Sequence, residues 1–340
     1  MHKYNYIGGA FSLLDTDCFI SENKGDYNNF FPDEINGSKR ILFETGIDSL
    51  AYIIKSIVKE NPKISKIFFP LHYCGNSIER LSIKVEGMEI IRYNNIDELL
   101  NIHSTSIVIW NHFNKFQEVP QKLFIKNIIL IEDFVHAPFD MIKAKAKYSI
   151  NSLRKVGNLE LSVCYTKQGN KVETSNDIST YYLAKKKAET TKHYFQKTDE
   201  EELEKIFLQE FKESEEGMHS GNITQIYQAN AVELNKFYHT DFQSILSIRT
   251  ENYLYIHKVL SESNKLHIID GDYMYLMLSS EKRDQLKTQL AKQGVFTTIH
   301  WIDSADIEKA NTYISIYIDQ RFTIKELDKV AGLLSAFSGN

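Results

Sequence analysis

The chain has 340 residues, 42% hydrophobic and 25% charged, with a formal net charge of −5. That length supports one large domain or two unequal ones with ample core. The acidic balance offers no basic surface for nucleic acid, and no apolar run approaches the roughly 18 residues of a membrane span. Cys18, Cys74 and Cys164 form no CxxC pair, which argues against a disulfide framework or a structural zinc site and for a reducing cytoplasm. The opening MHKYNYIGG lacks the apolar core of a signal peptide. A cytoplasmic protein with no metal is expected.

Residues 1–40 read as irregular. Gly8-Gly9 and the Asn/Asp/Gly/Pro-rich stretch 22–38 supply turn chemistry. Phe11, Phe19, Phe30 and Phe31 would pin this arm to the body or to a partner subunit. A helix follows over 46–60, where Ile47, Leu50, Ala51, Ile54, Ile57 and Val58 share one face. Thr45-Gly46 at its start is either a plain N-cap or an anion site on free N–H groups.

Strands are expected at 66–70, 88–93, 106–110, 128–131, 148–151 and 159–165, with helical segments at 75–83 and 96–102. Continuous apolar strands separated by helices indicate a mainly parallel sheet covered on both faces. Ligands bind at the carboxyl ends of such strands. The polar residues there are His72 and Tyr73, Asn111 and His112, Asp133 and His136, and Ser152 and Lys155. An acid ending one strand and a lysine following a later one can bind an aldehyde cofactor. By spacing alone, the commoner reading of Arg154-Lys155 is a solvated basic pair.

Residues 178–217 read as charged and helical, followed by helices over 223–238 and 242–261. In the second, Arg249 and Asn252 fall within the stripe of Phe242, Ile245, Ile248, Tyr253 and Ile256. An inward charge needs a partner, either a carboxylate or a ligand. The last 80 residues change character. Strands are expected at 273–278, 295–301 and 312–317. A helix over 280–294 ends at glycine, and another over 323–337 carries Thr323 and Glu326 at capping-box positions. We place a large domain at 1–245 and a small α+β domain at 246–340.

GGAFSLL (8–14), ETGIDSL (44–50), FFPLHYC (68–74), IEDFVHA (131–137), SLRK (152–155), IRTENY (248–253), GVFTTIHW (294–301) and ISIYIDQRF (314–322) occur in this order. Together they make the chain resemble a divergent branch of the DegT/DnrJ/StrS sugar aminotransferases, fold type I enzymes that use pyridoxal phosphate. The resemblance implies an α/β fold: a large domain with a mainly parallel seven-stranded sheet flanked by helices, plus the small domain.

It also implies roles. Lys155 would bind the cofactor covalently, and Asp133 would pair with the pyridine nitrogen. Gly46, Ile47, Asp48 and Ser152 would hold the phosphate. His72 or Tyr73 would cover the ring, and His136 would lie near its 3-oxygen or stack on it. Asn111, His112, His300, Trp301 and Arg321 would face substrate. The implied reaction is amino transfer from a donor such as glutamate to a nucleotide-linked keto sugar, in a homodimer with shared sites. Other sugar chemistry with the same cofactor, or a non-catalytic binding or scaffold role, are the alternatives. Two stretches depart from the family pattern: VGNLELSV after Lys155, with Gly157 alone, and His112-Phe113-Asn114 after the third strand.

Overall fold

A computed structural model describes residues 7–12, 15, 17–125, 127–167, 172–198, 200–217, 224–262 and 267–337. The terminus 1–6, Leu13 and Leu14 of GGAFSLL, and Ile223 lie outside the described residues. In chain order the strands are β1 (Ile7–Gly8), β2 (Glu34–Ile35), β3 (Ser38–Phe43), β4 (Lys66–Pro70), β5 (Glu89–Tyr93), β6 (Ser106–Asn111), β7 (Ile128–Asp133), β8 (Tyr148–Ile150), β9 (Ser162–Thr166), β10 (His267–Ile269), β11 (Tyr275–Ser279), β12 (Val295–Thr298) and β13 (Tyr313–Tyr317). The helices are α1 (Tyr27–Phe30), α2 (Gly46–Glu60), α3 (Gly75–Lys84), α4 (Ile96–Leu100), α5 (Thr180–Thr198), α6 (Glu201–Gly217), α7 (Ala231–His239), α8 (Phe242–Ser261), α9 (Arg283–Lys292), α10 (Ile307–Thr312) and α11 (Ile324–Phe337).

The chain groups into two compact units. The first comprises 12–71 and 75–242. Its sheet runs β2-β3-β9-β8-β7-β6-β4-β5. Strands β5, β4, β6, β7 and β8 are parallel, while β9, β3 and β2 each pair antiparallel. The sheet thus has eight strands rather than the expected seven, the extra one being the two-residue edge β2. Strand β3 lies where irregular chain was expected, because Lys39 and Arg40 interrupt its apolar run. Arg40 is accommodated by its carboxylate partner Asp33 at 2.6 Å and by the rings of Tyr27 and Phe237, 5.0 and 5.6 Å from its guanidinium.

Central strands β6 and β7 are buried on both faces, with Ile107, Val108, Ile109 and Ile131 inaccessible to solvent. Parallel register places Asn111, Asp133 and Ile150 side by side, and Trp110, Glu132 and Ser149 side by side on the opposite face. The apolar stripe of α2 packs against the Asp133 face, where the Ser49 and Ser162 hydroxyls meet at 2.7 Å. Helices α5 and α6 pack on each other through Phe195, Phe207 and Phe211. Helix α7 begins later than expected. Asn230 caps it by accepting the Val232 and Glu233 N–H groups, while Tyr227 and Gln228 before it form isolated bridges to Ser175 and Phe43.

The second unit comprises described residues 7–11, 72–74 and 243–337. Its sheet runs β1-β12-β13-β11-β10, with β1 parallel to β12 and the other pairs antiparallel. Gly8 is required in β1: its φ is +88°, and a Cβ there would stand 2.3 Å from the Phe296 carbonyl oxygen. Leu276, Ile314 and Ile316 of the sheet pack on Ile256, Leu327, Val330 and Leu334 of α8 and α11. The α11 capping box forms, with the Glu326 carboxylate accepting the Thr323 N–H at 2.8 Å. The inward charge on α8 finds its partners within this unit. Arg249 is fully buried, donates to Gln320 Oε1 at 2.7 Å and is attracted by Asp319. Asn252 donates to the carbonyls of Ile318, Asp319 and Phe322.

Among the described residues, no helix is long and apolar enough to cross a membrane. No group of three or more His, Cys, Asp or Glu converges there to hold a metal ion. The double-faced burial of β7 makes a testable claim. Ile131→Ala should lower unfolding stability by about 2–5 kcal/mol, read from the urea midpoint of the transition that reports the first unit. A change under about 1 kcal/mol would place Ile131 outside the core.

Candidate functional site

The site builds from the carboxyl end of β7. Asp133 is only 2% exposed, and its Oδ1 accepts the Val135 N–H at 2.8 Å, which fixes the carboxylate in a turn closing over the strand end. The strand end is tied on both sides: the His112 N–H donates to the Asp133 carbonyl, and the Phe134 N–H to the Ile150 carbonyl.

Helix α2 starts beside the chain that leaves β8. A Cβ at Gly46 would lie 3.4 Å from the Asn151 carbonyl and 3.5 Å from Ser152 Cβ, so the helix start sits against the turn leading to Lys155. By helix geometry the Gly46 and Ile47 N–H groups have no intrahelical acceptor, and the dipole favours an anion there. Asp48 has a different role from the one expected. Its N–H is taken by Thr45 Oγ1, and its carboxylate by the Thr45 hydroxyl at 2.6 Å and by Lys84 at 3.0 Å. Burial pushes the Asp48 carboxyl up, against the pull of Lys84. It is a capping residue.

Ser152 precedes a 3-10 turn, Leu153–Lys155, and its hydroxyl does not cap that turn. Lys155 is half-buried at the turn's end. The turn is closed by Leu153 N–H to the Leu161 carbonyl and Val156 N–H to the Leu153 carbonyl, at 2.8 and 2.9 Å. The unusual loop after Lys155 is held by side chains of α5 and α7. Lys186 donates to Asn158 Oδ1 at 2.7 Å, and the Glu160 N–H donates to Glu233 at 2.9 Å. Tyr181 donates to Glu160 Oε2 at 3.1 Å, and Lys186 lies 2.9 and 3.2 Å from Glu189 and Glu233. In this chain a buried ionic network ties the loop.

His136 is buried, with its ring edge-on to Phe113 at 5.2 Å. Asn111 shares the Asp133 face and is half-buried. His112 is excluded from substrate contact. It is 0% exposed, stacked between Phe116 and Phe134 at 5.2 and 4.0 Å. Its Nδ1 accepts the Gln117 N–H at 3.1 Å, so Nε2 carries the proton donated to Glu132 at 3.0 Å.

The remaining expected residues lie in the second unit. His72 Nδ1 meets the Ser304 hydroxyl at 3.2 Å, and the His72 and Tyr73 rings pack on Trp301 at 5.0 and 5.8 Å. His300 is buried, bonded to the Ser315 hydroxyl at 2.9 Å and 4.7 Å from the Tyr275 ring. Arg321 is a structural tie rather than a substrate contact. It grips both Asp319 carboxylate oxygens at 2.7 and 2.8 Å, donates to the Gly9 and Ala10 carbonyls, and lies over the Phe11 ring at 4.0 Å. Its fork is fully engaged in fastening the N-terminal strand.

Within the first unit, the start of α2, the buried Asp133 carboxylate and the turn that carries Lys155 adjoin the ends of β7 and β8. These are the groups that pyridoxal phosphate requires for its phosphate, ring nitrogen and aldehyde, and the donor set fits it. Lys84, Glu132 and the acidic network on α5 and α7 had no counterpart among the residues expected from the sequence. Thr45, expected as an N-cap or anion site, is the cap, and Thr45-x-x-Asp48 has the capping-box spacing.

Burial and the nearby Lys309 push the His72 ring down to about 4, with Asp306 opposing. Its lowered folded value means the stabilising contribution is complete above the unfolded value near 6.5 and is lost as pH falls towards 4. His72 ring resonances should therefore titrate near pH 4, and His72→Phe should flatten the stability loss between pH 6.5 and 4. Titration near 6.5 would contradict the burial.

No protein-family profile matches the sequence, and no curated protein matches it. Solved structures do match. Helicobacter pylori PseC, an aminotransferase involved in the biosynthesis of pseudoaminic acid, aligns with 99% of this chain and 94% of its own at 12% identity, TM-score 0.62. DesV of S. venezuelae, solved in complex with a ketimine intermediate, aligns with 99% of this chain and 91% of its own at 10% identity, TM-score 0.61. A DegT DnrJ EryC1 StrS aminotransferase from Brucella abortus aligns with 99% and 92% at 12% identity, TM-score 0.60. The chain has the fold of these sugar aminotransferase structures, the fold type I architecture.

Proposed function

We propose that this protein is a pyridoxal-phosphate-dependent aminotransferase that moves an amino group from an amino acid, glutamate foremost, to a nucleotide-linked keto sugar. We further propose that it works in the cytoplasm as a homodimer with shared sites. One observation carries the reading: a buried aspartate, a helix start beside a serine, and a lysine stand at adjoining strand ends (Asp133, Gly46 with Ser152, Lys155) in the fold of sugar aminotransferases.

When bound, the cofactor supplies an electron sink for charge developing on the substrate's α-carbon. The chain's residues do the rest. Gly46 and Ile47 N–H groups and the Ser152 hydroxyl bind the phosphate. Asp133, oriented by the Val135 N–H, holds a proton on the ring nitrogen. Lys155 Nζ would act as the base that takes the proton from the substrate's α-carbon. Asn111, on the Asp133 face, orients substrate, and His136 lies near the ring's 3-oxygen or stacks on the ring. In the second unit, His72, Tyr73 and His300 pack around the Trp301 ring, and this cluster is proposed to take part in ligand binding.

Purified protein mixed with pyridoxal phosphate should develop the absorption band of a lysine adduct. Lys155→Ala should lose that band and reduce amino transfer by about 10²–10⁴-fold or more. A wild-type protein that never develops the band would favour the scaffold alternative. Ser152→Ala should keep the band but raise the cofactor Kd roughly ten- to a hundredfold, since a hydrogen bond to a charged group is worth about 1.5–3 kcal/mol. An unchanged Kd would remove Ser152 from the phosphate site.

A further inference from the structure

We propose that Arg80 and Arg154 form the seat for the donor amino acid's carboxylate, and that the Glu215 side chain holds this seat as an internal stand-in. The identity of the ligand rests on the aminotransferase reading; the seat itself rests on geometry within the first unit.

Arg154 immediately precedes Lys155 in the 3-10 turn. Its Nη1 donates to the Tyr181 hydroxyl at 2.8 Å, and Tyr181 in turn donates to Glu160 at 3.1 Å. Tyr181 and Glu160 are 4% and 2% exposed, so the guanidinium is aimed from below by a buried chain. Arg154 Nη1 also lies 3.8 Å from Glu215 Oε1, and Arg80 Nη2 lies 3.7 Å from Glu215 Oε2. Two guanidinium groups therefore share one carboxylate.

Three features mark Glu215 as a replaceable occupant. Both charge contacts are about 1 Å longer than a tight charge-assisted hydrogen bond. The side chain is 47% exposed, so a competing anion can reach the seat and the pairs are individually weak. Glu215 also sits in the last turn of α6, which contains no basic residue and where the helix dipole disfavours negative charge. The helix does not hold this carboxylate; the surrounding cations do. Burial pushes the Glu215 carboxyl up, yet Arg154, Lys185, Arg80 and Lys155 outweigh it and hold the group below its ordinary value. Lys155 thus contributes to the same positive field that Glu215 feels. An α-amino acid carries its amine and carboxylate on one carbon, and Arg154 offers the carboxylate a guanidinium next to Lys155, the residue whose amine would hold the cofactor. The occupant seen in the structure is a carboxylate, which favours a carboxylate ligand over a phosphate.

The test titrates succinate, and separately pyrophosphate, into the full-length protein without cofactor or turnover, followed by calorimetry. Glu215→Gln should bind succinate roughly five- to tenfold more tightly than wild type. Adding Arg154→Gln or Arg80→Gln to that variant should abolish the gain, and Arg154→Lys should restore only part of it, because an ammonium lacks the planar fork. Tyr181→Phe in the Glu215→Gln background should weaken succinate while leaving the fold intact by circular dichroism. Equal succinate binding by wild type and Glu215→Gln, or a gain that survives both arginine substitutions, would overturn the seat. Stronger binding of pyrophosphate than of succinate would overturn its assignment to a carboxylate. Failure of the cofactor band would sink the aminotransferase reading and leave these titrations untouched.

Discussion

The Glu132 carboxylate is the fixed point of the first unit. It is fully buried on the face of β7 opposite Asp133. A carboxylate without water costs several kcal/mol unless every lone pair is met. Here Oε1 accepts the Lys145 and Ala146 N–H groups at 2.6 and 2.5 Å, and Oε2 accepts from His112 at 3.0 Å. These bonds fasten the chain that returns from the 3-10 segment Pro138–Lys143 onto β7, so β8 enters in the register that sets Ile150 beside Asp133. They also fix the end of β6 through His112. The neighbouring acids of Glu132-Asp133 thus divide the work, one clamping the strand ends and the other facing the α2 side.

From that clamp the candidate chemistry follows by short steps. Asp133 is set by the register of β7 and β8. Ser152 and Lys155 come within five residues of the end of β8, and α2 starts at Gly46 beside Asn151 and Ser152. The loop beyond Lys155 departs from the family pattern in glycine content, yet it is tied by Asn158, Glu160, Lys186 and Glu233. Fixed side-chain bonds can give a loop the definition that special backbone angles give elsewhere. A site that positions a reacting amine needs that definition, because small displacements cost rate steeply.

Much of this was legible in the sequence where the signal was local. The helix over 46–60 announced itself through apolar periodicity and the strands at 66–70, 88–93, 106–110 and 128–131 through continuous apolar runs, two of which extend to Asn111 and Asp133, and strand ends pointed to the polar residues beyond them. Long-range pairing was not legible. Strand β3 was hidden by Lys39 and Arg40; Lys39 is exposed, and the charge of Arg40 is met by Asp33 and by rings as distant in sequence as Phe237. At the end of β6, Asn111 and His112 were equal candidates. Alternation sends them to opposite faces, and only the register shows which one shares the Asp133 face. Arg321 was expected at substrate from the resemblance alone, and its ties to the Gly9 and Ala10 carbonyls, more than 300 residues earlier, were not legible.

The most direct test of the central claim is peptide mapping after borohydride reduction of the protein in pyridoxal phosphate. The account predicts a stable mass addition of the phosphopyridoxyl group on the peptide containing Lys155, at near one group per chain. Labelling spread over surface lysines, or concentrated on any lysine other than Lys155, would contradict it.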